Sequence, residues 1–279
     1  MGSAMKTAGK MSASEIALAK DAAQKVVRTH EKLSGFMRMG MTLAQIDAEV
    51  ARVLASLECK SCFLHYRVGR SPAFPSHACL SLNDCVVHGT AGFVARPMQQ
   101  GDLLKLDIGV EYKGMIGDAA WTYSFGQPTA AVKRLMESGK VSLARGVKEL
   151  HPKNSYLAWA RTVQKTVEEE YGYKLVRGLG GHGYGLKKLH KPPYISNVVP
   201  TYPGEWPEAT QRCEPGTLIA VEPMIAVSTG ETKTLRANDW PVLTKDGSMS
   251  VHYEHDVLIG DDGPIVLTEG MENLPDVVG

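Results

Sequence analysis

Two carboxylates sit where water should be scarce. Asp107 lies inside Leu103-Leu104-Lys105-Leu106-Asp107-Ile108-Gly109-Val110, and Glu222 lies inside Leu218-Ile219-Ala220-Val221-Glu222-Pro223-Met224. Apolar runs of this kind form half-buried or fully buried strands. An ionised carboxylate there is costly unless it is paired or bound to a metal. Asp118 follows Asp107 across a turn predicted at Tyr112 to Gly114, so strand pairing brings the two acids side by side. Glu254 lies in the strand-like Val251-His252-Tyr253-Glu254-His255, and His182 in the glycine-rich run from Gly178 to Gly185. Taken singly, each is an ordinary edge acid or a satisfied histidine. Taken together they point to a cation, because neighbouring carboxylates raise each other's pKa and a divalent ion between them removes the repulsion. Mostly oxygen donors with one imidazole suit manganese, iron, cobalt or zinc in a catalytic site, not a closed structural zinc site.

The elements that must position these residues recur in order. Ser12 or Ser14 caps a helix predicted to run to about Met37, with Ile16, Ala19, Ala23, Val26, Val27 and His30 at helical spacing. Thr42 caps a second, with Ile46, Val50, Val53, Leu54 and Leu57 on one face. Strands are predicted over Ala78–Leu82, Cys85–His88, Leu103–Val110 and Met115–Phe125. Then the pattern repeats: helices over Thr129–Leu150 and from a cap at Asn154, and strands over Tyr173–Val176, Gly178–Leu186, Leu218–Met224 and His252–Ile259. Two helices then strands, twice, implies an α+β fold of two related halves. Ser196 to Glu214, with three prolines, reads as a surface loop. No stretch reads as a linker, so residues 12–279 are expected to form one catalytic domain. Residues 1–11 read as a tag remnant or N-terminal extension, with the native start at Met5 or Met11.

Composition excludes several classes. In 279 residues, 43% are hydrophobic and 22% charged, ordinary for a globular protein and unlike a disordered or disulfide-scaffold chain. Lys plus Arg is 31 against 30 for Asp plus Glu, so the basic excess of a DNA binder is missing. Five cysteines, an odd number, fit a reducing cytoplasm. No run reaches the ~20 apolar residues of a membrane span. Cys59-Lys60-Ser61-Cys62 lacks the second pair of a zinc site and reads as two unpaired thiols. The glycine-rich run lacks the Lys-Ser/Thr ending of a phosphate loop.

Six motifs carry a family resemblance: Val87-His88-Gly89, Leu106-Asp107-Ile108, Gly117-Asp118, Gly181-His182-Gly183, Val221-Glu222-Pro223-Met224 and Tyr253-Glu254-His255. In joint order and spacing the chain resembles type I methionine aminopeptidases of the pita-bread, creatinase-like fold, from the first helix to about Leu267. The resemblance implies two divalent ions, drawn from cobalt, manganese, iron or zinc. Asp118 and Glu254 would bridge them, Asp107 would complete one site, and His182 with Glu222 the other. It implies removal of initiator methionine from peptides and nascent chains with a small second residue. Glu222 would carry the proton, His88 would contact the scissile nitrogen, and His190 would stabilise the tetrahedral intermediate. Phe74, Cys79, Leu189 and Trp240 would wall the methionine pocket. A monomer acting in the cytoplasm is implied, with no DNA or membrane partner and a transient ribosome contact.

The chain departs from the family at three places. His190-Lys191-Pro192-Pro193 stands where His-Glu-Glu-Pro is usual, one extra residue separates His182 from His190, and Gly109 stands where a threonine is frequent. Lys187, Lys188 and Lys191 form a basic cluster that reads as a solvated rim, or as a contact for acidic peptide or ribosomal RNA. The alternatives are a proline-specific peptidase of the same fold, disfavoured by length, and a binding protein that has lost catalysis, disfavoured by the intact ligand set.

Overall fold

Short polar caps start three of the four helices of this computed structural model, which describes residues 11–69 and 71–279. The expected extension of residues 1–11, Met11 apart, lies outside the described residues. Helix α1 (Ala13–Phe36) begins at Ser12, whose hydroxyl accepts from the Glu15 N–H while the Glu15 carboxylate accepts from the Ser12 N–H. Thr42 and Gln45 make the same reciprocal cap on α2 (Leu43–Ser56). Thr129 caps α3 (Ala130–Glu149). Helix α4 (Tyr156–Gln164) runs on into a wider π turn at Lys165–Glu170 and is preceded by Ser155, not capped by Asn154 as expected. The Asn154 amide is engaged elsewhere: it donates to the Glu149 carbonyl at 3.0 Å, closing the end of α3.

The strands gather, among the described residues, into two five-stranded sheets and two small ones. In the first large sheet Leu103–Tyr112 lies between Lys60–Ser61 and Met115–Phe125, and also pairs with Cys79–Leu82. Helix α1 covers the two long strands, and α2 packs on α1. The second sheet runs in the order Pro264–Val266, His255–Ile259, Leu218–Val221, Gly180–Gly185, Lys188–Ser196. Helices α3 and α4 pack together in this half. Apolar side chains from both halves join in one continuous buried core. The predicted α+β alternation, two helices then strands in each half, therefore stands.

One strand went unassigned in the sequence, and one expectation needs correction. Lys188–Ser196 is a strand, paired with Gly180–Gly185, although its two prolines hid the pattern. Ser196 to Glu214 is not a plain surface loop. It carries a short helical turn at Pro207–Thr210, and it buries Trp206, Ala209 and Cys213. The Trp206 indole donates to the Tyr194 carbonyl at 3.0 Å, tying the segment to the edge strand.

His30 joins α1 to the first sheet. It is fully buried, with Nδ1 2.9 Å from the Tyr123 hydroxyl and Nε2 3.2 Å from the Ala119 carbonyl. Those partners suit a neutral ring that donates from Nε2 and accepts at Nδ1. Burial pushes its pKa down from 6.5 to about 4. The unfolded chain therefore binds the proton first, and this contribution to stability is lost as pH falls from about 6.5 to about 4. The loss from this one ring is on the order of 3 kcal/mol. His30→Gln keeps a donor and an acceptor but does not titrate. Denaturant unfolding between pH 4 and pH 7 is expected to show a shallower pH dependence for His30→Gln than for wild type. Equal slopes would remove His30 from the acid sensitivity of the fold.

Candidate metal centre

The two halves meet where Met115–Phe125 contacts Gly180–Gly185, Ser250–His252 and His255–Ile259, and the acids lie at that seam. Asp107 pairs in register with Ala120, and Asp118 with Gly109. The two acids are thus diagonal neighbours on one face of the hairpin. From the second half, the Glu254 N–H donates to the Ala120 carbonyl at 2.9 Å. The Asp118 N–H donates to Asp256 Oδ2 at 2.8 Å. Glu222 follows directly on Leu218–Val221, and the side-chain amide of Asn197 holds its backbone carbonyl at 2.8 Å.

His182 arrives from the strand Gly180–Gly185, opposite Ala220. A Cβ at Gly181 would overlap the Ala220 carbonyl, so glycine lets the strands close around the histidine. His182 Nδ1 lies 3.2 Å from the Gly183 carbonyl, which fixes a proton on Nδ1 and leaves the Nε2 lone pair facing inward. Nε2 is 3.9 Å from Asp118 Oδ2 and 4.0 Å from Glu222 Oε1.

All five residues expected as ligands line one cavity of about 530 Å³. Donor atoms of Asp118, His182 and Glu254 fall within 4.8 Å of one another. So do those of Glu222, His252 and Glu254, which adds a histidine that the sequence reading passed over. His252 Nε2 lies 3.0 Å from Glu222 Oε2. Its sequence signal was its place two residues before Glu254, although the expected strand His252–Ile259 breaks at Tyr253 and Glu254.

The electrostatics are those of crowded, dehydrated acids. Burial pushes the Asp107 carboxyl up to about 7 and Glu222 up to about 8. Burial and the neighbouring carboxylates push Asp118 and Glu254 well up. Burial also lowers His182 to about 3 and His252 to about 4, so the rings are neutral at pH 7. Asp107 Oδ1 and Asp118 Oδ1 are buried without a hydrogen-bond partner. Orphaned acceptors, an inward lone pair and mutually repelling acids together fit a divalent cation.

The other predicted residues surround this cluster. His88 lines the cavity in the left-handed conformation, at φ 58°. That conformation costs of order 1–2 kcal/mol in a non-glycine residue. Gly89 makes it feasible, because a Cβ there would overlap the Leu80 carbonyl. Trp240 stands 5.2 Å from Phe74 and 6.0 Å from His88 between ring centres, edge to face in both cases. Cys79 and Leu189 complete the apolar wall. The His190 ring lies 4.2 Å from that of His182. The extra residue between these histidines is absorbed by register shifts at Gly183, so it does not carry His190 away. Tyr66, also absent from the sequence reading, places its hydroxyl 2.6 Å from His190 Nδ1. Gly109 is explained as well: Cys62 and Phe63 fill the space its side chain would need. Cys59 and Cys62 are free thiols, and burial raises both pKa values.

The family model for metallopeptidase family M24 matches residues 17–261. The chain belongs to this family. Among M24 relatives, methionine aminopeptidase 1 of Bacillus subtilis is 32% identical over 254 residues, covering 91% of this chain and 96% of that protein. The methionine aminopeptidase of Aquifex aeolicus is 35% identical over 211 residues, covering 75% and 79%. The crystal structure of methionine aminopeptidase from Thermotoga maritima superposes with a TM-score of 0.83 at 28% identity, covering 94% of this chain and 99% of that one. The prolidase of Pyrococcus furiosus shares the fold, with a TM-score of 0.71 at 18% identity, and this chain covers 65% of it. The pita-bread α+β fold is thereby established for this M24 chain.

In the metal-free M24 protein the raised carboxyl pKa values mean that Asp107 and Glu222 are largely protonated at pH 6. A cation can bind only as those protons leave. Calorimetric titration with Mn2+ at pH 6 should show proton release, seen as a heat that depends on the ionisation enthalpy of the buffer. The share released by Asp107 and Glu222 should shrink as pH approaches 8.5. A buffer-independent heat would show that the acids are already ionised.

Proposed function

We propose that the protein is a metal-dependent methionine aminopeptidase acting on chains with a small second residue. One observation carries the reading: Asp107, Asp118, His182, Glu222 and Glu254 converge in the cavity that His88, His190 and an apolar wall enclose. Asp107, Asp118, His182, Glu222 and Glu254 would hold two divalent ions, from cobalt, manganese, iron or zinc. Such a pair supplies an activated water and Lewis-acid polarisation of the scissile carbonyl. Residues 12–279 would act as one catalytic domain, monomeric and cytoplasmic, on peptides and on nascent chains in transient contact with the ribosome.

The side chains divide the work. Phe74, Cys79, Leu189 and Trp240 offer an apolar, polarizable slot for the methionine side chain. Glu222 takes the proton from the attacking water and delivers it to the leaving nitrogen. His190 donates to the oxygen on which charge develops. His88 contacts the scissile nitrogen, and burial keeps its ring neutral, with a pKa near 4. The passage between His88 and His190 sets the size of the second residue. No helix among the described residues is long and apolar enough to cross a membrane.

Glu222→Ala should abolish turnover. His190→Ala should lower kcat by about 10²–10³-fold with metal content unchanged. In a Met-X-Met-Ala series, release of methionine should fall from Gly, Ala and Ser to Leu at position X. A misplacement of about 1 Å costs on the order of 10²-fold. Equal rates across the series would refute the size limit, and preferred cleavage of Xaa-Pro peptides would favour a proline-specific peptidase. Metal binding without cleavage of any peptide would favour a binding protein.

A further inference from the structure

Glu222 has two carboxylate oxygens, and they face different neighbours. Oε1 points toward the inward lone pair of His182, 4.0 Å away. Oε2 lies 3.0 Å from Nε2 of His252. His252 is itself held from both sides. Its N–H donates to Thr122 Oγ1 at 3.0 Å, and that same hydroxyl donates to the His252 carbonyl at 2.8 Å. Its strand is paired in register with Met224–Ala226, which starts two residues after Glu222. Only 1% of its surface is exposed, so the ring cannot swing out to solvent.

We propose that His252 is the positioning residue for Glu222, donating from Nε2 to Oε2 so that Oε1 alone is presented to the cation and the reacting water. A carboxylate on a two-carbon stem otherwise rotates about its terminal torsion, which is broad. With Asn197 holding the backbone carbonyl and His252 holding Oε2, the group is fixed at both ends. This matches the general use of outer partners to orient the groups that hold a metal. The alternative is that His252 is a ligand. Its Nε2 reaches Glu254 Oε2 only at 4.0 Å, against 3.0 Å to Glu222, and the shorter contact is a hydrogen bond. The proposal rests on Glu222 being the ligand and proton carrier described above.

At saturating metal, His252→Ala should lower kcat by about 10- to 100-fold with KM little changed. His252→Gln, whose amide reaches to the same place as imidazole Nε2, should recover most of the loss. X-ray absorption of the cobalt-loaded protein should count the same imidazoles in wild type and in His252→Gln. In protein loaded with diamagnetic Zn2+, where Glu222 is a carboxylate, and labelled with 15N-histidine, His252 should carry its proton on Nε2, and that resonance should move in Glu222→Ala. Wild-type kcat in His252→Ala would overturn the proposal, as would a proton on Nδ1. One imidazole fewer in the cobalt spectrum of His252→Gln would also overturn it and make His252 a ligand. If wild-type protein cleaves no methionyl peptide, the functional reading fails, while the tautomer spectrum still decides whether His252 holds Glu222.

Discussion

The seam between the two sheets is the constraint on which the centre depends. It is closed by main-chain groups: the Glu254 N–H on the Ala120 carbonyl, the Asp118 N–H on Asp256, and the Thr122 hydroxyl between the amide and carbonyl of His252. These bonds satisfy buried donors, and losing an acceptor while its donor stays buried costs about 1–3 kcal/mol apiece. Closure forces carboxylates from both halves into one cavity. No single half could assemble the set, since Asp107 and Asp118 come from the first and His182, Glu222 and Glu254 from the second. The order of helices and strands, repeated twice, is what supplies the two facing edges.

Much of this was legible because burial and charge conflict openly in the sequence. An aspartate inside Leu103–Val110 violates the rule for an apolar strand, and such a violation marks a site. The helix starts were legible for a local reason, since Ser12-Glu15 and Thr42-Gln45 are complete caps within four residues. What stayed hidden depended on distant partners. The strand Lys188–Ser196 contains Pro192 and Pro193, which argue locally against a strand, but it lies at a sheet edge where prolines are tolerated. Trp206 looked like part of an exposed loop because its partner, the Tyr194 carbonyl, belongs to that unrecognised strand. His252 and Tyr66 were passed over because a lone histidine or tyrosine carries no signal until its neighbour is known.

The departures from the family pattern have separate physical accounts. At Gly109 the neighbouring Cys62 and Phe63 occupy the side-chain volume, so a larger residue there would need both to move. Between His182 and His190 the added residue is taken up in the irregular pairing around Gly183, while the rings remain in contact. After His190, Lys191 lines the cavity. Partial burial and the neighbouring Lys188 both lower its pKa. None of the three alters the donors at the seam, where all five still line one cavity.

The neutral histidines sharpen the link between folding and the cation. If His182 or His252 were imidazolium, it would offset part of the negative charge of the four acids. Burial prevents that, holding His182 near 3 and His252 near 4. Without a cation the cavity must instead keep protons on its carboxyls, as the raised values of Asp107 and Glu222 express. Protons and metal ions therefore compete for the same oxygens, and each occupant stabilises the closed seam in its own pH range. A ligand that binds only the folded state adds stability by mass action. The acids come from both halves, so a cation held by them would tie the two halves together.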